Sequence, residues 1–396
     1  MSDSNKTALV LSGGGVRGAY EVGVLAGIVD VLGLTSDDTP PFRIFTGTSV
    51  GAINAAFLAA NTHRGDLAIG RLIDIWRSLD LTHHLQIDPL GLLGRPLRRL
   101  YDPNPGFGRS VLNPKALERL VQNSVPWRSL RTAIANKTTR ALVVTALQVA
   151  SGRTTMFIEQ AEGGTFRPSR DPRRRAQQVH INADHVLASA ALPFVFPARQ
   201  IGSAYYCDGG LRFNTPIAPA IRAGAEQLVV ISPMFEADTD EIVTDHAVNY
   251  PSLVFLMGKL LNALLLDPVS YDIQVLERFN RLMEVLEESL TDAELERVQQ
   301  VMIEHRGLPY NKIDCLAFRP SRDIGAIASD YVRTPGKRWK ASRFQRMIAR
   351  LAARGDSDLA SYVLFDGGFA ERLIELGRTD VKARADDVRA AFGPDG

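Results

Sequence analysis

The sequence predicts an α/β protein with three α/β/α layers, a mostly parallel central sheet, a helical insertion and a helical C-terminal region. From Thr7 to about Pro233, short apolar strand-like runs such as "TALVLSG", "FRIFTGTS" and "AEQLVVISP" alternate with helical patterns. Strands separated by helices favour parallel pairing in one layered domain. Beyond residue 238 the pattern becomes helical, with apolar residues three or four positions apart from Val269 to Leu290.

These patterns divide the chain into four parts. We expect an α/β core at 7–235 and a helical insertion at 236–310, which would serve as a lid or an interaction region. The run "KIDCLAFRP" predicts a strand that returns to the core at 311–320. A C-terminal helical region at 321–396 includes a basic amphipathic helix.

Composition excludes several classes of protein. A net charge of +2 gives no general attraction to nucleic acid, and two cysteines exclude a disulfide scaffold. No Cys/His spacing suits a zinc site, so we expect no metal. "MSDSNK" lacks the apolar core of a signal peptide, and the apolar run Leu253–Leu266 contains Lys259 and is short for a membrane span. These features favour a cytoplasmic protein, or one exported without a cleaved signal.

Two basic segments leave alternatives open. The segment "FRPSRDPRRRAQQ" is a loop by composition, and its arginines from Arg167 to Arg175 fit either a solvated loop or contact with anionic lipid headgroups. Lys337–Arg354 forms basic and apolar stripes at helical spacing. It fits either a surface helix packed on the domain or a helix that docks on a membrane surface or an acidic partner. Peripheral membrane contact is therefore expected, and the oligomeric state is unknown.

A glycine-rich turn follows the first strand. Gly13-x-Gly15-x-x-Gly18 matches the dinucleotide-binding fingerprint, in which backbone N–H groups hold a pyrophosphate. That fingerprint requires an acidic residue at the end of the second strand, about twenty residues further on. Asp37 and Asp38 lie at that distance but in the loop "LTSDDTPP". The turn is therefore better suited to holding another anion.

The second strand ends in a candidate nucleophile. Gly47-Thr48-Ser49-Val50-Gly51 is a G-x-S-x-G string between a strand and an Ala-rich helix, the context of a nucleophile elbow. Its glycines allow a tight turn beside the serine. The free N–H groups of the helix start would favour negative charge developing at Ser49.

A serine hydroxyl needs a base, and none of the seven histidines lies in a turn at a strand end. His185, the nearest candidate, fits a structural position in a helix. Asp208 follows an apolar strand and precedes two glycines, and burial would raise its pKa and make it a better base. Asp366 repeats the Asp-Gly-Gly string, but a helix follows it at once, so it is interpreted as a helix cap or a turn residue.

Together, these motifs resemble those of the patatin-like phospholipase family. The blocks are Gly13–Gly18, Gly47–Gly51 and Asp208–Gly210, and a fourth block, "ASAALP" at 188–193, also matches. Their order and spacing agree with the family from about Thr7 to Pro233. The region after residue 238 matches no motif of the family.

The resemblance implies a catalytic dyad of Ser49 as nucleophile and Asp208 as general base, without histidine or cofactor. It implies hydrolysis of acyl esters in phospholipids or other lipids. An acyltransferase on the same scaffold and a non-catalytic lipid-binding protein are the alternatives. The implied oxyanion-hole segment is Gly13, Gly14, Gly15 and Val16, and the supporting residues are Arg17, Gly18, Gly47, Gly51 and Gly209.

Overall fold

The computed structural model describes residues 6–79, 115–164, 166–193, 195–236, 258–259, 262, 267–306, 309, 311–334 and 357–392. Within these residues one sheet runs in the order β5-β4-β3-β2-β1-β8-β9, with β7 pairing β3 and β6 pairing β7. The strands are β1 (Thr7–Leu11), β2 (Ile44–Thr48), β3 (Ala141–Gln148), β4 (Thr154–Gln160), β5 (Arg174–Gln178), β6 (Arg199–Ile201), β7 (Ala204–Asp208), β8 (Gln227–Ile231) and β9 (Asp314–Phe318).

Helices cover both faces of this sheet. In chain order they are α1 (Gly18–Leu32), α2 (Val50–Ala60), α3 (Gly65–Arg77), α4 (Lys115–Ser124), α5 (Trp127–Ala135), α6 (Ala183–Ser189), α7 (Ile217–Arg222), α8 (Asp267–Ser289), α9 (Asp292–Arg306), α10 (Ile324–Arg333), α11 (Ser357–Val363), α12 (Gly367–Ala383) and α13 (Ala385–Phe392). Two single-turn 3₁₀ helices, Gly15–Arg17 and Gly209–Leu211, follow β1 and β7.

The central strands are parallel and buried on both faces. β1 pairs in parallel with β2 and β8, and β2 pairs in parallel with β3. Every residue of β1 and β2 is buried, including Thr46, Gly47 and Thr48 at the carboxyl end of β2. The predicted three-layer fold with a mostly parallel sheet and a helical C-terminal region is confirmed.

The C-terminal region packs tightly on the core. α12 lies against α1, and Gly377 approaches the backbone so closely that a Cβ there would lie 2.5 Å from the carbonyl oxygen of Tyr20. The hydroxyl of Tyr20 donates to Asp380 at 3.0 Å, within the same interface. The C-terminal region is therefore part of the same packed body as the glycine-rich turn.

The interpretation of "FRPSRDPRRRAQQ" as a loop throughout is wrong. Its second half forms β5, which pairs in parallel with β4 from Thr154 opposite Arg174 to Ile158 opposite Gln178. Its polar sequence hides the strand, because pairing with the exposed edge of β4 is what fixes the backbone there. The basic segment Lys337–Arg354 and most of Leu253–Leu266 lie outside the described residues.

Candidate active site

Ser49 lies in a strained turn between β2 and α2. Its φ of 55° and ψ of −126° place a non-glycine residue in a region that L-residues rarely adopt. The turn is also tight, because a Cβ at Gly51 would lie 2.5 Å from the carbonyl oxygen of Leu11 and 2.6 Å from that of Ser12. This is the geometry of a nucleophile elbow, which holds the serine at the carboxyl edge of the sheet.

Asp208 lies next to Ser49 because β2 and β7 pair with successive segments of β3. Thr48, the last residue of β2, lies opposite Thr145, and Asp208, the last residue of β7, lies opposite the next residue, Ala146. The two strands therefore approach each other end to end. Ser49 Oγ donates a hydrogen bond of 2.7 Å to Asp208 Oδ2 across a sequence separation of 159 residues.

Burial determines the ionisation of Asp208. Its side chain is 1% exposed, and loss of hydration raises its pKa to about 7, although the hydrogen bonds from Ser49 and the Gly210 N–H oppose this shift. The Gly210 N–H donates to Oδ1 at 2.7 Å and leaves Oδ2 for the serine. Near neutral pH this carboxyl group can therefore both accept and return a proton.

The glycine-rich turn lies beside this pair and is held by Asn214. The N–H of Gly13 donates to Asn214 Oδ1 at 2.9 Å, and Asn214 Nδ2 donates back to the Gly13 carbonyl at 3.2 Å. The N–H groups of Gly14, Gly15 and Val16 have no hydrogen-bond acceptor among the described residues. The Gly13 N–H is thus engaged in holding the turn, and the next three N–H groups remain as donors.

Ser189 supports the elbow from the backbone side. It ends α6, within the "ASAALP" block, and its Oγ accepts a hydrogen bond of 2.9 Å from the N–H of Ser49. Its own hydroxyl donates to the carbonyl of Thr145 at 2.6 Å. The sequence pointed to this block without giving Ser189 a role, and the contact across a separation of 140 residues supplies one.

Arg17 links the glycine-rich turn to the C-terminal region. Its side chain is 3% exposed, Nε donates to Ser361 Oγ at 2.9 Å, and the guanidinium lies over the ring of Tyr362 at 4.3 Å from the centroid. Gly15 adopts φ +60°, and a Cβ there would overlap the carbonyl oxygen of Tyr362. Helix α11 therefore packs directly on the turn, a contact that no motif in the sequence indicates.

The remaining expected supporting residues lie in or next to these turns. Gly18 begins α1, Gly47 lies in β2 and Gly209 begins the 3₁₀ turn after Asp208.

The other candidates have structural contacts. His185 lies in α6 and its Nδ1 is 2.7 Å from Asn182 Oδ1, while burial lowers its pKa. Asp366 caps α12, and its Oδ1 accepts from the N–H groups of Gly368 at 3.0 Å and Phe369 at 3.2 Å. Both structural interpretations are confirmed. The described residues contain no group of His, Cys, Asp and Glu side chains arranged to hold a metal.

An apolar cavity lies beside the helix that follows the nucleophile. It has a volume of about 60 Å³, and its lining is almost entirely carbon. Val50, the residue after Ser49, lies on its wall together with Phe57, Trp76, Leu120 and Phe196. Its apolar lining suits a hydrocarbon group.

The patatin-like phospholipase family model matches residues 9–221 of the chain. The chain belongs to the patatin-like phospholipase family. The matched range contains the glycine-rich turn, the elbow and Asp208, and the family makes this protein a lipid acyl hydrolase, a phospholipase or esterase acting on lipid substrates.

The chain is also similar to a solved structure, at low sequence identity. The crystal structure of VipD from Legionella pneumophila matches with 15% identity and a TM-score of 0.34, over 96% of this patatin-like chain and 67% of VipD. A search of curated proteins found no significant match. In the described part of the chain, no helix has both the length and the apolar character needed to cross a bilayer.

Proposed function

We propose that this patatin-like protein hydrolyses acyl esters of phospholipids or other lipids through a Ser49–Asp208 dyad, with the glycine-rich turn as the oxyanion hole. The observation that carries the proposal is the 2.7 Å hydrogen bond from Ser49 Oγ to Asp208 Oδ2. The pKa of Asp208, raised to about 7, supports its role as the base.

Acylation begins when Asp208 Oδ2 takes the proton of Ser49 Oγ as that oxygen attacks the ester carbonyl carbon. The carbonyl oxygen becomes negative and accepts hydrogen bonds from the N–H groups of Gly14, Gly15 and Val16. A single such donor contributes about 3 kcal/mol to lowering the barrier in comparable sites. Collapse of the intermediate breaks the bond to the alcohol, which leaves with the proton held by Asp208.

Deacylation uses the same groups. Asp208 takes a proton from a water molecule as its oxygen attacks the acyl carbon on Ser49, and the oxyanion again faces the glycine-rich turn. Collapse breaks the bond to Ser49 Oγ, the proton returns from Asp208 to that oxygen, and the fatty acid leaves. The apolar cavity with Val50 on its wall would accommodate part of the acyl chain.

Labelling with a fluorophosphonate probe tests the dyad. The wild-type protein should be labelled and should hydrolyse a short-chain ester, whereas Ser49→Ala should do neither. Ser78→Ala, which removes an exposed hydroxyl at the end of α3, is the matched control and should behave as the wild type. Labelling that persists in Ser49→Ala would contradict the assignment. Adding an alcohol and measuring the transesterified product separates acyl transfer from hydrolysis.

A further inference from the structure

Two exposed apolar side chains and a group of arginines lie close together at one edge of the sheet. Val149 is 52% exposed and Tyr205 is 53% exposed. We call this surface the arginine rim, and its members are Val149, Arg153, Arg170, Arg173, Arg175, Tyr205 and Arg212.

The arginine rim lies at the same edge of the sheet as Ser49. β3 runs parallel to β2, with Thr145 opposite the last residue of β2, and continues to Gln148 before it turns into β4. At about 3.3 Å per residue, the β3–β4 turn therefore projects roughly 10 Å beyond the elbow. A flat surface that touched this turn would face the carboxyl edge of the sheet, where the dyad lies.

Hydrogen bonds join parts of the rim to one another and connect it to the turn that follows Asp208. The N–H of Val149 donates to the carbonyl of Tyr205 at 2.9 Å, and that of Thr154 to the carbonyl of Arg173 at 2.9 Å. Arg212 follows the 3₁₀ turn of Asp208, and its guanidinium donates to the carbonyl of Gly152 in the β3–β4 turn. The rim is thus continuous with the turn that carries the proposed base.

Positive charge is concentrated at the arginine rim. The segments 148–154, 169–176, 199–206 and 209–213 contain one acidic residue, Asp171, which pairs with Arg173 at 3.1 Å and Arg174 at 3.7 Å. All five arginines of the rim are exposed. The whole chain has a net charge of only +2, so this concentration of positive charge does not reflect a basic protein.

We propose that the arginine rim docks this enzyme on an anionic phospholipid bilayer, with Val149 and Tyr205 entering the headgroup region and the carboxyl edge of the sheet facing the lipid. Arginines interact with lipid phosphates, and aliphatic and aromatic side chains bury apolar area at the interface. This combination distinguishes a lipid surface from a purely anionic polymer. The proposal rests on the proposed function, because a lipid substrate must be reached from the bilayer.

Co-sedimentation with vesicles tests the rim. The wild-type protein should bind phosphatidylcholine vesicles that contain phosphatidylglycerol more tightly than vesicles of phosphatidylcholine alone, and added salt should weaken this binding. Each arginine near an anionic surface contributes about fivefold to binding, so removing three should weaken it roughly 100-fold. The variant is Arg153→Ser/Arg170→Ser/Arg175→Ser, and the control with the same charge change on α3, α8 and α9 is Arg71→Ser/Arg278→Ser/Arg297→Ser.

A second variant tests the apolar part. Val149→Ser/Tyr205→Ser should lose the part of vesicle binding that persists at high salt in the wild-type protein. In the arginine variant the ratio of vesicle hydrolysis to short-chain ester hydrolysis should fall, with an unchanged unfolding midpoint. Equal losses in the rim and control variants, or full vesicle binding by the rim variant, would overturn the proposal. Ser49→Ala should still bind vesicles, so a failure of the dyad is distinguishable from a failure of docking.

Discussion

Replacing Asp208 by Asn should abolish hydrolysis and make the protein more stable at alkaline pH. Asn can still accept from the Gly210 N–H and contact Ser49, but it can neither take a proton nor carry charge. In the wild-type protein, burial raises the pKa of Asp208 from 3.8 to about 7, a shift of about 3 pH units. At 1.36 kcal/mol per unit, ionising this buried group costs at most about 4 kcal/mol of folding stability.

The direction in which stability changes with pH follows from proton binding. Because the folded protein holds the Asp208 proton more tightly than the unfolded chain, the favourable contribution of this group is complete below about pH 4. It is lost as pH rises through about 7, where the folded protein must bury the charged form. The stability advantage of Asp208→Asn over the wild type should therefore grow by about 3 kcal/mol between about pH 5 and about pH 8.5.

Urea unfolding of both proteins across this pH range measures the difference. Asp366→Asn changes the other Asp-Gly-Gly string, retains a side chain that can cap α12, and should keep wild-type activity. In the wild type, kcat/KM should rise with pH with an apparent pKa of about 7, since the proposed base, Asp208, would act in its ionised form. Parallel stability curves for Asp208→Asn and wild type, or a pH–rate profile with its rising limb near pH 4, would refute the reasoning.

Two further substitutions test the support of the site. Ser189→Ala removes the acceptor of the buried Ser49 N–H, so the free energy of unfolding should fall by about 1–3 kcal/mol. The same change should lower kcat about tenfold with little change in KM. A loss of stability with an unchanged kcat would contradict a positioning role. Gly15→Ala introduces a Cβ at φ +60° that overlaps the carbonyl oxygen of Tyr362, and limited proteolysis should show cleavage near α11 that the wild type resists. Gly163→Ala, at φ +83° with open space around it, controls for backbone strain alone; equal cleavage in both variants would argue against the contact with Tyr362.

Local patterns in the sequence were sufficient for the parts of the site that lie within one strand–turn–helix unit. The glycine-rich turn, the elbow at Ser49 and the turn after Asp208 each combine a buried strand with close backbone approach, and that combination restricts residue types at adjacent positions. The cap role of Asp366 was predictable for the same reason, since a cap depends on the next three residues. Strand β5 was missed because its polar sequence carries no such local restriction.

By itself, then, the sequence determined the α/β fold class, the candidate nucleophile and the candidate base. Only the tertiary structure decided that Ser49 Oγ lies 2.7 Å from Asp208 Oδ2 and that Ser189 accepts a hydrogen bond from the elbow. It also decided that Asn214 accepts from the Gly13 N–H and that α11 packs on the glycine-rich turn. Each of these contacts joins residues far apart in the chain. The pKa of Asp208 has the same origin, because it depends on how much water the surrounding elements exclude from the carboxyl group.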